Sequence, residues 1–283
     1  MALRHKLAPM ALWLAGKAPL CPWISVAKYA HPATWKARRP PADMEIVETQ
    51  ADCHVIRFQG EHDFWFPKSM MPCPELWSEY LVVMWNHPFN SHYYLRKGVG
   101  IKEGDVVIDC GCCEGFFARQ ALELGAGLVI CLEPNVEMAK CLEATFSDEI
   151  EDGRVVVLPV AISSLCGSAS FNVADDDVFS GRFVDAGDEH VPVETLDHLM
   201  EKYPAPNMIK MDLEGSEYEA LRGAHELLVC HKPKLAITTY HESWDYRVIS
   251  SYIEGVGYKK INVSASTYRK GETPRPVMVH AWK

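Results

Sequence analysis

The chain has 283 residues, 48% of them hydrophobic, 10% aromatic and 23% charged, with 18 glycines and 18 prolines; this excludes disorder, a collagen-like repeat or a coiled coil as the main architecture. The net charge of −10 is unevenly spread. Seven of the 28 basic residues (Arg4, Lys6, Lys17, Lys28, Lys36, Arg38, Arg39) precede the first acidic one, Asp43, which leaves 21 basic against 38 acidic residues. Such an acidic body repels phosphate backbones, and no nucleic-acid partner is expected for it.

Residues 1–43 read as a basic N-terminal arm carrying Trp13, Trp23, Tyr29 and Trp35. Leu3, Leu7, Met10 and Leu14 have helical spacing that Pro9 interrupts, and a helix packed on the domain is favoured over a membrane-surface anchor. The stretch Leu7 to Gly16 has the length of a signal-peptide core, but Lys17 and the lack of a small-x-small cleavage site argue against export. No apolar run reaches about 18 residues, so no transmembrane helix is expected. Residues 44–98 read as an α+β extension: strands at Glu45–Thr49, His54–Phe58 and Phe64–Phe66, then a helix over 75–98 with Leu76, Tyr80, Val83 and Met84 on one stripe.

From residue 99 to 283 the pattern is regular. Asp105–Cys110, Leu128–Leu132, Arg154–Val160, Asn207–Asp212 and Lys234–Tyr240 are short apolar strands. Helices are expected at Phe116–Leu124, Asn135–Phe146, Ser216–Val229 and Tyr246–Glu254, and two last strands at Tyr258–Val263 and Val277–Trp282. This alternation predicts βαβ units and a parallel sheet covered on both faces. Residues 163–194 break the rhythm with edge-like segments at Ser168–Val173 and His190–Glu194 and the acidic run Asp175–Asp177, a candidate lid or acceptor loop.

Ten cysteines are too few and too scattered for a disulfide scaffold. The group Cys110-Gly111-Cys112-Cys113 lacks the second Cys or His pair that a zinc site needs, so reduced thiols in a cytoplasmic protein are expected. The informative segment is Asp109-Cys110-Gly111-Cys112-Cys113-Glu114-Gly115. Glycines at a strand-to-helix turn let backbone approach a ligand. Glu133, at the end of the next strand, is placed to accept hydrogen bonds from ribose hydroxyls. A dinucleotide fingerprint would carry glycine where Cys113 stands, to make room for a pyrophosphate. Asp109 would repel that group and suits a cationic ligand such as S-adenosyl-L-methionine. A βα turn with capping acids and no ligand is the plain alternative.

These blocks, with Glu133-Pro134-Asn135, Ile209-Lys210-Met211-Asp212-Leu213-Glu214-Gly215-Ser216-Glu217, Leu221-Arg222-Gly223-Ala224, Lys232-Pro233-Lys234 and Tyr240-His241-Glu242, resemble the FkbM-type S-adenosylmethionine-dependent methyltransferases over roughly residues 91–283. The resemblance implies an α/β, Rossmann-like class I methyltransferase fold, with a mostly parallel seven-stranded sheet and a reversed last strand. It also implies O-methylation of a small-molecule hydroxyl on a sugar or polyketide. One departure is Cys112-Cys113, where the family usually carries Ala-Asn. By position in that fold, Asp109, Gly111, Cys113, Glu114 and Gly115 should surround the methionine moiety, Glu133 the ribose, and Val160 and Ala161 the adenine.

An alcohol acceptor loses its proton to a base within about 2.6–3.2 Å. On such a sheet Asp212 and His241 end the strands nearest the methyl group. His241 is the expected base because imidazole titrates near neutrality, with Asp212 orienting it or binding the acceptor. Ser216 and Glu219 match a capping box, which offers the nearby acids a purely structural role. Asp212, His241 and Glu242 would make an oxygen/nitrogen metal set, but adjacent strand residues face opposite ways, so no metal is expected. The competing functions are a nicotinamide-dependent Rossmann oxidoreductase, and a binding protein that kept the fold without turnover.

Overall fold

The computed structural model describes residues 2–16, 23, 26–27, 41–50, 52–87, 90–96, 98–174, 177–184, 189–242, 245–264 and 274–283. Of the sequence features above, Tyr29, Trp35, most of the basic arm and Asp175–Asp176 lie outside them.

Helix α1 (Ala2–Leu14) runs through Pro9; the single backbone bond that a proline forfeits does not stop it there. Strands β1 (Met44–Thr49), β2 (Cys53–Phe58) and β3 (His62–Pro67) form an antiparallel meander. Helix α2 (Pro74–Met84) starts with proline in its first turn and Cys73 Sγ accepting the Leu76 N–H. It ends well short of residue 98, because Asn90 Nδ2 binds the carbonyls of Leu81, Val82 and Trp85 and turns the chain.

The main sheet begins at β4 (Val106–Cys110), followed by α3 (Phe116–Glu123), β5 (Leu128–Leu132), α4 (Val136–Thr145), α5 (Ser147–Glu151) and β6 (Val155–Leu158). Asn135 caps α4, its side chain accepting the N–H groups of Glu137 and Met138. Strands β7 (Ala161–Ile162), β8 (Gly167–Ala174), β9 (Asp177–Val184) and β10 (Glu189–Glu194) make a separate four-stranded sheet in the order β7-β10-β8-β9. The chain returns through α6 (Leu196–Leu199) to β11 (Met208–Met211), α7 (Glu217–Arg222), α8 (His225–Cys230), β12 (Lys234–Thr238), α9 (Asp245–Gly255), β13 (Lys260–Ser264) and β14 (Met278–Trp282). The single helix expected over Ser216–Val229 is broken at Gly223. There the backbone packs so closely on the Ser163 carbonyl that a Cβ would lie 2.1 Å from it. The capping box is not formed either: Ser216 makes no side-chain cap, and Glu219 binds Ser164 and Arg222 instead.

The order of the main sheet is β13-β14-β12-β11-β4-β5-β6, with β14 antiparallel to both neighbours and the central strands parallel. The expected seven-stranded sheet with a reversed last strand is therefore present. Period-2 alternation sorts its side chains onto two apolar layers. Val107, Val129, Met208 and Ala236 pack with α3, α4, α2 and the N-terminal meander, and Phe58, Phe64 and Phe66 of the meander with Tyr80 of α2 close around Phe116. Ile108, Ile130, Ile209 and Leu235 pack with α7, α8 and α9 on the other face. Among the described residues no helix is long and apolar enough to cross a membrane.

Candidate active site

Strand β4 is flanked by β5 on one side and β11 on the other, so the chain reverses direction across the sheet there and a crevice opens at the strand ends. A cavity of about 310 Å³ occupies it, a size ordinary for a small-molecule site. Gly111, Cys113, Glu114, Glu133, Val160, Ala161 and Asp212 line it. Asp109, Gly115 and His241 do not. Helix α2 supplies a wall through Glu79, Val82 and Val83, and Tyr94 and Tyr240 line the cavity as well. Val160, Ala161 and Ile162, at the approach to the 163–194 segment, line the cavity.

The glycine loop works differently from the expectation. Gly111 (φ +71°) makes room for protein, since a Cβ there would sit 2.0 Å from the Asp212 carbonyl oxygen. Gly115 (φ +81°) gives its space to Leu142 and Phe146. Both positions need glycine for backbone and packing reasons. Cys113 also has positive φ (45°), a conformation in which asparagine is common, and its N–H donates to Glu133 Oε2 at 2.8 Å. The other carboxylate oxygen accepts the Asn135 N–H at 2.9 Å. Glu133 is thus pinned at the end of β5, its carboxyl raised by burial against the pull of those two donors.

Asp109 is fully buried and faces Lys210, its partner in the β4–β11 register, with Nζ 2.9 Å from Oδ1. The reading of Asp109 as an anion facing the ligand is corrected by this pairing: its charge is answered inside the protein. Burial works against the Lys210 charge, but Asp109 and Asp212 outweigh it and the ammonium is retained. Lys210 was legible as a buried cation in an apolar strand that had to find a carboxylate, yet its role was missed. Glu114 is also not an anion at neutral pH. Burial first, and then the charge of Glu79, push its carboxyl up to about 8.

The second group gathers where β11 and β12 end. Glu217, in the first turn of α7, is fully buried and accepts the Leu213 N–H at 2.9 Å through Oε1. The same oxygen meets His241 Nδ1 at 2.9 Å. Thr238 Oγ1 lies 3.0 Å from both Glu217 Oε1 and Asp212 Oδ1, and the Tyr94 hydroxyl donates to Asp212 Oδ2 at 2.5 Å. His241 Nε2 faces Asp212 Oδ1 at 3.5 Å and Glu214 Oε2 at 3.6 Å. Burial lowers the imidazole's affinity for protons, but the Glu217 hydrogen bond and the charges of Asp212, Glu217 and Glu214 outweigh it and lift the pKa to about 9. The expectation that His241 is the base facing the methyl group is corrected on both counts. It stands behind the cavity wall, and it holds a proton at neutral pH. Asp212 is the member of this group on the wall. Tyr94, 118 residues away in sequence, carried no signal of its contact with Asp212.

A family model described as the methyltransferase FkbM domain matches residues 109–260. Among curated proteins there is no match. A crystal structure of an FkbM methyltransferase from Methylobacillus flagellatus KT aligns at 20% identity and a TM-score of 0.51, over 76% of this chain and 56% of that one. This chain therefore spans little more than half of that relative's length, and the likeness is one of fold. Lower scores are given by M. jannaschii TYW2 in complex with AdoMet (15% identity, TM-score 0.47, 84% of this chain and 88% of that one). The precorrin-6y C5,15-methyltransferase of Geobacter metallireducens GS-15 also scores lower (12%, 0.43, 78% and 95%).

Proposed function

The chain belongs to the FkbM methyltransferase family, and on that premise we propose that it transfers a methyl group from S-adenosyl-L-methionine to a hydroxyl of a small molecule of the sugar or polyketide class. The observation that carries this reading is one crevice, at the switch point of the sheet, with Glu133 pinned on one wall and Asp212 on the other. The wall suits the cofactor. Each Glu133 oxygen accepts one backbone N–H and keeps lone pairs for ribose hydroxyls, and Val160, Ala161 and Met138 offer an apolar surface to adenine. Gly111, Cys113 and Glu114 border the space for the methionine moiety, with Glu114 neutral and Asp109 set back from it.

When bound, the cofactor supplies a carbon already activated by a sulfonium, so the chain itself has to position the acceptor and handle one proton. Asp212 accepts the hydrogen of the acceptor hydroxyl. Tyr94 holds its far oxygen, and His241 stands 3.5 Å behind it as a positioning residue. Tyr240 and helix α2 exclude water from the acceptor end.

Calorimetry with S-adenosyl-L-methionine tests the cofactor: a saturable binding heat is expected, and none at high micromolar concentration with a folded protein would sink the reading. Label from a methyl-labelled cofactor should then pass to a hydroxyl in the small-molecule fraction of a cell extract. Binding with no transfer to any acceptor would favour a binding protein that kept the fold.

A further inference from the structure

Asp212, Glu217 and His241 bring one ligand atom each within 4.8 Å of one another, and the details of that cluster go beyond a set of packed acids. Glu217 Oε1 engages His241 Nδ1, which directs the other ring nitrogen away from it. That nitrogen, Nε2, belongs to a side chain only 5% exposed, makes no hydrogen bond, and faces Asp212 Oδ1 and Glu214 Oε2. Glu217 Oε2 is likewise buried without a hydrogen-bond partner. The separations of 3.5 and 3.6 Å are long for hydrogen bonds. They match two donors sharing one ion, since ligands about 2.1 Å from a common centre at a tetrahedral angle stand about 3.4 Å apart.

Two carboxylate oxygens, Asp212 Oδ1 and Glu214 Oε2, face the ring nitrogen that Glu217 does not engage. Tyr94 and Thr238 hold the two oxygens of Asp212 from outside. Glu217 orients the imidazole through Nδ1, the arrangement by which carboxylates fix metal-ligating histidines.

We propose that His241 Nε2, giving up its proton, and Asp212 Oδ1, with Glu214 Oε2 completing the set, bind a divalent first-row cation at the acceptor end of the cavity. One imidazole with carboxylate oxygens suits the manganese-to-zinc range, whereas thiolate-preferring ions find no ligand in this set. Because Asp212 and Glu214 both line the cavity, the ion has an open side toward it, where an acceptor hydroxyl enters its coordination shell. That role toward the acceptor rests on the methyl-transfer reading; the binding of the ion does not.

The test uses the full chain without a polyhistidine tag, stripped with a chelator and titrated with metal alone. Mn²⁺ is followed by electron paramagnetic resonance and Co²⁺ by its visible bands. One equivalent is expected to bind, and Mn²⁺ should raise the melting temperature of the wild type. Asp212→Asn and His241→Gln should each remove this uptake, and Glu217→Gln should weaken it about 10–100-fold. Should His241→Gln fail to fold, Asp212→Asn and Glu214→Gln carry the comparison. The proposal is overturned by the absence of Mn²⁺ and Co²⁺ uptake at millimolar metal, or by unchanged affinity in the folded variants. Cofactor binding in the presence of chelator with no metal uptake would remove the ion and leave the methyl-transfer reading standing. Metal uptake without cofactor binding would do the reverse.

Discussion

Two buried charge groups stand on neighbouring strand ends and are built on opposite plans. Asp109 and Lys210 are a buried pair set by the strand register, with the cation also reaching the Gly111 carbonyl and bordering the cavity. Asp212, Glu214 and Glu217 surround a single His241, and the group opens on the cavity through Asp212 and Glu214. A balanced pair needs nothing more from its surroundings. The second group is held in place by Tyr94, Thr238 and the Leu213 N–H and presents Asp212 and Glu214 to the cavity. The first is expected to matter for stability and the shape of the loop, and the second is where the proposed chemistry falls.

This division can be broken by measurement. The largest effect belongs to Asp212→Asn, which should lower the methyl-transfer rate by about 10²–10⁴-fold with cofactor affinity unchanged. An unaltered rate would move the acceptor elsewhere in the cavity. Lys210→Met leaves Asp109 buried without its cation and should cost about 3–5 kcal/mol in denaturant unfolding, with much of the loss recovered when Asp109→Asn is added. Loss of activity at full stability would instead put Lys210 in the chemical group.

His280 provides a reference for both, a buried imidazole bonded to the Tyr94 carbonyl with no carboxylate partner among the described residues. Burial lowers its pKa to about 4 from the usual 6.5. Above pH 6.5 it is neutral whether folded or not. As pH falls from 6.5 to 4 the unfolded chain takes up a proton that the folded one refuses, so stability drops by up to about 3 kcal/mol across that window. Melting curves of His280→Gln should lack this component, and identical pH profiles would contradict the assignment. The smallest effect is expected for Glu133→Gln, about a tenfold loss of cofactor affinity through weakened hydrogen bonds to a charged acceptor. Calorimetry that finds no change would remove Glu133 from the cofactor side.

Much of the scaffold was legible because it rests on local rules. Apolar runs such as Val129–Leu132 and Ile209 with Met211 announce strands buried on both faces, and Asn135 announces a helix start. Errors arose where distant chain interfered. Asn90 ends α2, and Ser163 against Gly223 splits the helix after β11. The site was legible to a similar degree. Glu133 and Asp212 stand on the cavity wall where strand ends put them, whereas the histidine at position 241 turned out to face inward, toward Glu217.

By itself, then, the order of residues determined the alternating strands and helices, the glycine turn after β4 and the acids at the strand ends, since each follows from periodicity or backbone sterics within a few residues. Only the tertiary structure decided the surroundings of those acids. Asp109 is answered by Lys210, 101 positions along the chain but adjacent in the sheet, Glu114 is neutral through burial, and Asp212 is aimed at the cavity by Tyr94. Charge states depend on neighbours and burial, and neither exists before the sheet has brought its strands together.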